Sequence, residues 1–148
     1  MRPYANSLRA LAFALLTLLA ACKDDSGPEP IKYGRDACEM CGMIISDPRY
    51  IAEVRLDDNK LHKFDDVGEA VNWLSQHCVE PKDAREFWVT DSAVGKSWLD
   101  GRKAYYRRAG TPMNYGFAAV AAASPETVTF DEMRAKTLRE RFACKKAA

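Results

Sequence analysis

Hydrophobic and polar residues alternate over residues 50–56, a pattern typical of a strand with one buried face. Turn-forming residues follow, and residues 61–64 can return as the second strand of a hairpin. Apolar residues then recur at helical spacing over residues 67–76, where Asp65 or Asp66 can cap the helix. This part of the chain therefore predicts a strand–strand–helix unit.

The second half of the chain repeats this order of elements. Residues 104–107 predict a strand, and residues 110–116 form a loop that contains proline and is bounded by glycines. A further strand is predicted over residues 117–121, although its alanines also suit a helix. Ser124, followed by proline, then fits the cap of a helix over residues 125–142.

The two units, with a further strand predicted at residues 86–90, indicate an α+β fold. The expected architecture has two similar small ββα-type halves packed together, one over residues 37–90 and one over residues 91–148. A chain of this length can hold one domain, or two very small ones that share a core.

An N-terminal targeting segment is predicted over residues 1–21. Arg2 and Arg9 accompany an apolar run that suits a secretory signal and is too short to span a bilayer comfortably. The run ends in Leu-Ala-Ala-Cys, which resembles the bacterial lipobox and implies cleavage before Cys22 and lipid on that cysteine. The alternative is a plain secretory signal followed by an incidental cysteine.

Residues 22–36 are expected to form a lipidated, disordered tether, because the stretch after Cys22 is charged, rich in Gly and Pro, and has little to bury. The full chain has a formal net charge of +1, and cleavage would remove Arg2 and Arg9. A near-neutral mature chain gives no reason to expect nucleic acid as a partner. Membrane attachment would come from the acyl chains.

The candidate chemistry is concentrated in residues 38–43, which read Cys-Glu-Met-Cys-Gly-Met. Thiolates and thioethers are soft ligands that select Cu(I) over hard cations. Gly42 permits a tight turn, so Cys41 and Met43 can point at one ion. A disulfide, a redox CxxC motif and methionines that only pack in a core are the alternatives for Cys38 and its neighbours.

Further candidates lie elsewhere in the chain. Met113 sits in the Gly/Pro-bounded loop, where no strand or helix pattern explains it as a core residue, although it can also pack beneath that loop. His62 lies on the predicted hairpin and is either a ligand or an ordinary packing histidine. Cys78 and Cys144 can pair with each other or remain free thiols, and the sequence leaves both possibilities open.

Enzyme signatures are missing from the sequence. It contains no G-x-S-x-G, H-E-x-x-H, P-loop or G-x-G-x-x-G motif. A thioredoxin-like CxxC motif should follow a strand and open a helix, whereas this one follows the predicted tether. That context argues against an oxidoreductase.

Together these features resemble the NosL family over essentially the whole mature chain. The resemblance is carried by the lipobox, the tether, C-x-M-C-G-M, the hairpin ending in His-x-F-D, and the later G-x-P-M loop. Cys41 and Met43 match the core of the family motif, Met113 matches the Pro-Met loop, and Cys38 matches a less uniform position. Asn114 stands where the family usually has glycine.

The resemblance implies a Cu(I) metallochaperone, not an enzyme, built from two homologous ββα-type halves. It would supply copper for the copper–sulfide centre of nitrous oxide reductase, working with that enzyme and its membrane maturation machinery. It would be lipid-anchored to a bacterial cell membrane and face the periplasm or the cell exterior.

Two other functions stay open at this point. One is a thiol–disulfide protein that uses Cys38 and Cys41, and the other is a Zn(II)-binding protein, favoured if His62 joins the cysteines. For the copper site, we expect Met43 and Met113 to meet at one ion between the two halves.

Overall fold

The computed structural model describes residues 26–145. Its strands are β1 (Ala52–Arg55), β2 (Leu61–Phe64), β3 (Glu86–Thr90), β4 (Trp98–Asp100), β5 (Tyr105–Arg108), β6 (Phe117–Val120) and β7 (Thr127–Val128). Its helices are α1 (Val67–Gln76) and α2 (Phe130–Thr137), with 3₁₀ turns at Pro81–Asp83 and Glu140–Phe142. The strands form two antiparallel sheets, with the orders β2-β1-β3-β4 and β6-β5-β7.

The predicted α+β fold is confirmed. The observed bounds of β2, α1 and β3 are the predicted ones. Alternation and helical spacing are strong sequence signals of strands and helices. Asp66 is the residue that caps α1, and its carboxylate accepts a hydrogen bond of 2.8 Å from the Gly68 N–H.

The helix predicted over residues 125–142 is wrong at both ends. Residues 127–128 pair with β5 as an edge strand, so the chain is still extended where the helix was expected to begin. The observed cap is Thr129, which forms a capping box with Glu132. The helix ends at Thr137, and Leu138 has an extended backbone.

Besides β7, a second strand was not predicted. β4 has only three residues, and none of them is fully buried, so no alternation marked it in the sequence. It lies within residues 91–148 but pairs with β3, which places it in the first sheet.

The hydrophobic core is shared by the two sheets and the two helices. Phe64 and Phe87 from the first sheet belong to the same buried cluster as Tyr106 and Phe117 from the second sheet and Met133 from α2. Helix α1 lies at the centre of this arrangement, since it contacts β1, β2, β6 and α2.

Helix α1 also joins the two parts of the molecule that carry the candidate ligands. A side chain at Gly68 would overlap the ring of Tyr115, so the loop that contains Met113 packs directly on the first turn of the helix. The Thr111 hydroxyl donates a hydrogen bond to the second carboxylate oxygen of Asp66. The cap of α1 therefore also holds this loop in place.

A disulfide joins Cys78, just beyond α1, to Cys144. This settles the alternative that the sequence left open for these two cysteines. The bridge holds the C-terminal segment, residues 138–144, against the end of α1 opposite to its cap.

The expected tether is hydrogen-bonded to the first sheet in its described part. The Gly27 N–H donates to Glu86 at 2.9 Å, the Glu29 N–H donates to Glu53 at 2.8 Å, and Arg55 donates to the Gly27 carbonyl at 3.0 Å. The predicted leader and Cys22 lie outside the described residues. Between residues 26 and 145, no helix is long and apolar enough to cross a bilayer.

Candidate metal centre

The Cys/Met segment forms a tight turn beside the hairpin. The Cys38 N–H donates to the Met43 carbonyl at 2.8 Å, and the Gly42 N–H donates to the Cys38 carbonyl at 2.9 Å. Gly42 has φ 74°, a left-handed conformation that side chains disfavour. The Glu39 N–H donates to the Lys63 carbonyl at 2.8 Å, which fixes the turn to β2.

Four potential ligands converge where this turn meets the start of α1. The side chains are Cys38, Cys41, Asp65 and Glu69, and one ligand atom from each lies within 4.8 Å of the others. We refer to these residues as the four-donor cluster. Cys41 is partly exposed and the other three are buried. The Cys38 thiol donates a hydrogen bond of 2.8 Å to Glu69 Oε2.

Burial favours the protonated forms of several of these groups. Desolvation, reinforced by the hydrogen bond to Glu69, raises the pKa of Cys38 far above the usual range of a thiol. Desolvation also raises the pKa of Cys41, and it raises that of Glu69 to about 8 with a contribution from the hydrogen bond to Asp65. A cation that binds to thiolates here must therefore displace protons.

One oxygen atom of the four-donor cluster lacks a hydrogen-bond partner within the described residues. Asp65 Oδ1 is buried and accepts no hydrogen bond from residues 26–145. Buried polar oxygens without partners are uncommon and costly. A bound cation would supply the missing contact.

A pocket of about 320 Å³ opens onto this cluster, and we refer to it as the outer pocket. It contains Cys41 and Glu69 of the cluster, so the two features share a wall. Its complete lining is Met40, Cys41, Glu69, Gln76, Met113, Tyr115, Arg139, Arg141 and Phe142. Residues from the Cys/Met turn, α1, the Met113 loop and the C-terminal segment thus meet at one place.

The NosL family model matches residues 31–139. The chain belongs to the NosL family. Among solved structures, the chain is similar to the crystal structure of the copper chaperone NosL from Shewanella denitrificans, with a TM-score of 0.56 and 13% sequence identity. That match covers 75% of this chain and 86% of the other, and at this identity it shows a shared fold. A comparison with curated proteins gave no match.

In this NosL-family chain, the structure brings three of the predicted site residues together. Cys38 and Cys41 belong to the four-donor cluster, and Met113 lines the outer pocket with Cys41. Met43 is 47% exposed at the end of the Cys/Met turn and does not line that pocket.

His62 occupies a different environment from the other predicted site residues. It is 4% exposed and its ring lies on Trp73, with 4.3 Å between the ring centroids. Its Nδ1 is 3.4 Å from Glu39 Oε1 without hydrogen-bond geometry. His62 is not among the four donors that converge within the described residues.

Both carboxylates of the four-donor cluster lie outside the predicted site. The sequence predicts Asp65 only as a possible helix cap and gives Glu69 no role. No local pattern separates these carboxylates from the acidic residues that ordinarily occur at a helix start. Their distinguishing feature is position, because they directly follow the hairpin to which the Cys/Met turn is bound.

Proposed function

We propose that the protein binds Cu(I) through Cys41 and Met113 and carries it to nitrous oxide reductase for the assembly of the copper–sulfide centre. The observation that carries this proposal is that both sulfur-containing residues line one pocket although they are distant in sequence. Membership of the NosL family supports it, as does the copper chaperone of the same fold.

The donor chemistry fits a carrier of Cu(I). A thiolate and a thioether are soft ligands that favour this ion, and a thiolate also offsets its charge. Cys41 is only partly buried, so a docked partner can reach the metal. A closed site of four thiolates would hold the metal too firmly for transfer. The protein acts in this proposal as a carrier and not as an enzyme.

Other predicted residues can complete the ligand set. Cys38 offers a second thiolate from within the four-donor cluster. Met43 ends the exposed turn that carries Cys41, so a small movement of this turn would bring its thioether to the ion. His62 is proposed only as an accessory ligand, on the basis that its buried Nδ1 lacks a hydrogen bond within the described chain.

In this proposal, the cellular location is inferred from the sequence before residue 26. Lipid on Cys22 would anchor the protein to a membrane and place it in the periplasm or on the cell exterior, beside the membrane maturation machinery. Cell fractionation of a Cys22→Ser variant tests the anchor. The variant should leave the membrane fraction, and its full retention there would mean that attachment lies elsewhere.

A competition titration against a Cu(I) chelator tests the metal site. Cys41→Ser should lower the affinity by more than about 100-fold, beyond the roughly 10–100-fold that the loss of a supporting partner costs. Nitrous oxide reductase from cells that make this variant should contain less copper. Thermal unfolding provides the control for folding. Equal affinity in the variant and the parent would contradict the proposed site.

The two buried carboxylates support Zn(II) as a second candidate. Two thiolates with carboxylate oxygens form a donor set that Zn(II) accepts. A Zn(II) titration of Glu69→Gln distinguishes the two metals, since this change should weaken Zn(II) more than Cu(I) if the carboxylate is a zinc ligand. The thiol–disulfide alternative is less well supported, because burial and the bond to Glu69 raise the pKa of Cys38 and make it a poor nucleophile.

A further inference from the structure

Two arginines line the outer pocket without pairing to a carboxylate anywhere in residues 26–145. The Arg139 guanidinium lies over the ring of Tyr115, 4.2 Å from its centroid, and that of Arg141 lies 4.6 Å from the centroid of the Phe142 ring. Glu69 shares the pocket, but its Oε2 accepts the Cys38 thiol. Each guanidinium carries five N–H donors and retains unused hydrogen-bonding capacity.

These arginines stand on a segment that is fixed at several points. Asn72 of α1 donates to the Thr137 carbonyl at 3.0 Å and accepts the Arg139 N–H at 2.9 Å. The disulfide at Cys144 ties down the other end of the segment. Both arginines are exposed and line the pocket together with Cys41 and Met113, on a backbone that these contacts hold in place.

Two positive charges in the lining are unexpected for a pocket that would receive a bare cation, because like charges repel. The guanidinium group is instead well suited to carboxylates, which it binds by paired, charge-assisted hydrogen bonds. The pocket is also larger than an ion requires. Its volume of about 320 Å³ is many times the roughly 10–15 Å³ of cavity space that one water molecule needs.

We propose that the outer pocket receives Cu(I) as a complex with a small anionic thiolate, and that Arg139 and Arg141 bind the carboxylate of that ligand. The inference rests on the proposed function and adds the chemical class of the incoming complex. Cu(I) would be held between Cys41 and the retained thiolate, with Met113 beside it. The aromatic ring of Tyr115 would flank the organic part of the ligand.

The exchange involves no change in oxidation state. A Cu(I) ion that arrives with two thiolates forms a bond to the Cys41 sulfur and breaks one bond to a donor thiolate. The proton of the Cys41 thiol passes to the departing thiolate, which leaves as a neutral thiol group. The second thiolate remains on the metal with its carboxylate at the arginines. Copper, charge and protons are therefore all conserved in the step.

Native mass spectrometry with the Cu(I) complex of glutathione, a thiol that carries carboxylates, tests this proposal. The parent should retain one copper with one glutathione, with the intact disulfide verified from the mass. An Arg139→Gln/Arg141→Gln variant should still bind copper but hold glutathione at least about tenfold more weakly, as expected for lost charge-assisted hydrogen bonds. Backbone contacts of Arg139 are unaffected by this change.

Two controls isolate the interaction. Arg35→Gln removes the same type of charge from an exposed turn outside the pocket and should behave as the parent. Glutathione with esterified carboxylates should be held poorly by the parent and the double variant alike. Copper binding without retained glutathione, or equal retention in the double variant, would overturn this inference and leave the proposed function intact. A complete lack of copper uptake would overturn both.

Discussion

Cys38 and Cys41 are three residues apart on one turn, yet their surroundings differ. Cys38 is 2% exposed and its thiol donates to the Glu69 carboxylate, so it belongs to a buried group with Asp65 and Glu69. Cys41 is partly exposed and faces the outer pocket with Met113. The spacing of a CxxC motif therefore does not make its two thiols equivalent.

The difference suggests a division of roles across the site. The buried side is fixed by β2 and the first turn of α1, and it cannot change without disturbing the core. The open side is formed by the Cys/Met turn, the Met113 loop, one side of α1 and the C-terminal segment, which the disulfide holds in place. A metal carrier needs both, because the fixed side maintains the geometry while the open side exchanges the ion.

The largest effect is expected from removing the disulfide. Cys78→Ser/Cys144→Ser opens a bridge between residues 66 apart in sequence, which should lower the free energy of unfolding by about 4 kcal/mol in the chain-entropy model. Denaturant unfolding measures this loss. Because the bridge holds one wall of the outer pocket, Cu(I) affinity should also fall under conditions where the variant is folded. Unchanged affinity would show that the open side does not need this wall.

Removing the buried thiol should have the next largest effect. Cys38→Ala leaves the Glu69 carboxyl without its donor and should destabilise the protein by about 1–3 kcal/mol. If Cys38 mainly supports the site, Cu(I) affinity should fall by roughly 10–100-fold, less than for Cys41→Ser. Equal losses in the two variants, measured by chelator competition, would contradict this division of roles.

A matched variant separates the loss of stability in Cys38→Ala from the loss of Cu(I) affinity. Cys38→Ser keeps a group that can donate to Glu69 but removes the sulfur. It should regain most of the stability lost in Cys38→Ala, as measured by thermal unfolding, without regaining the full Cu(I) affinity. Recovery of both would exclude Cys38 as a metal ligand.

On the open side, the sequence predicts Met113 as a ligand, and the structure places this residue in the lining of the outer pocket. Met113 was identified because a thioether in a Gly/Pro-bounded loop has no strand or helix pattern to account for it. Its place in the same pocket as Cys41 depends on the contact of Tyr115 with Gly68, a tertiary contact between residues far apart in the chain. The local sequence indicates which side chain could bind a metal, whereas the packing of the shared core determines which other residues lie near it.

The buried side was harder to predict for a physical reason. Acidic residues at a helix start have an ordinary role as caps and partners of the helix dipole, so Asp65 and Glu69 gave no separate signal. Only the docking of the Cys/Met turn beside them, through the Glu39–Lys63 bond, makes them potential ligands. The failed prediction of a helix at residue 125 has a similar origin, because pairing of residues 127–128 with β5 overrides the local cap signal.

Met113 and Met43 allow a finer test of where the ion binds. Met113→Leu nearly conserves volume and should cost less than about 1.5 kcal/mol of stability. It should lower Cu(I) affinity about tenfold, less than Cys41→Ser, because a neutral thioether does not offset the charge of the ion. Met43→Leu, at an exposed position outside the pocket, should have a smaller effect. The reverse order in a chelator competition would place the ion on the Cys/Met turn alone.

The smallest effect is expected at His62. Burial lowers the pKa of this imidazole, so the ring is neutral at pH 7 and chemically able to bind a metal. Its position nevertheless favours packing, since the ring lies on Trp73 and outside the four-donor cluster. His62→Phe keeps an aromatic ring on Trp73 and removes both nitrogens. Cu(I) affinity should then change by less than about twofold, equivalent to about 0.4 kcal/mol. A tenfold loss with unchanged thermal stability would instead make His62 a principal ligand, and the buried side of the site would then include β2 as a source of metal contacts.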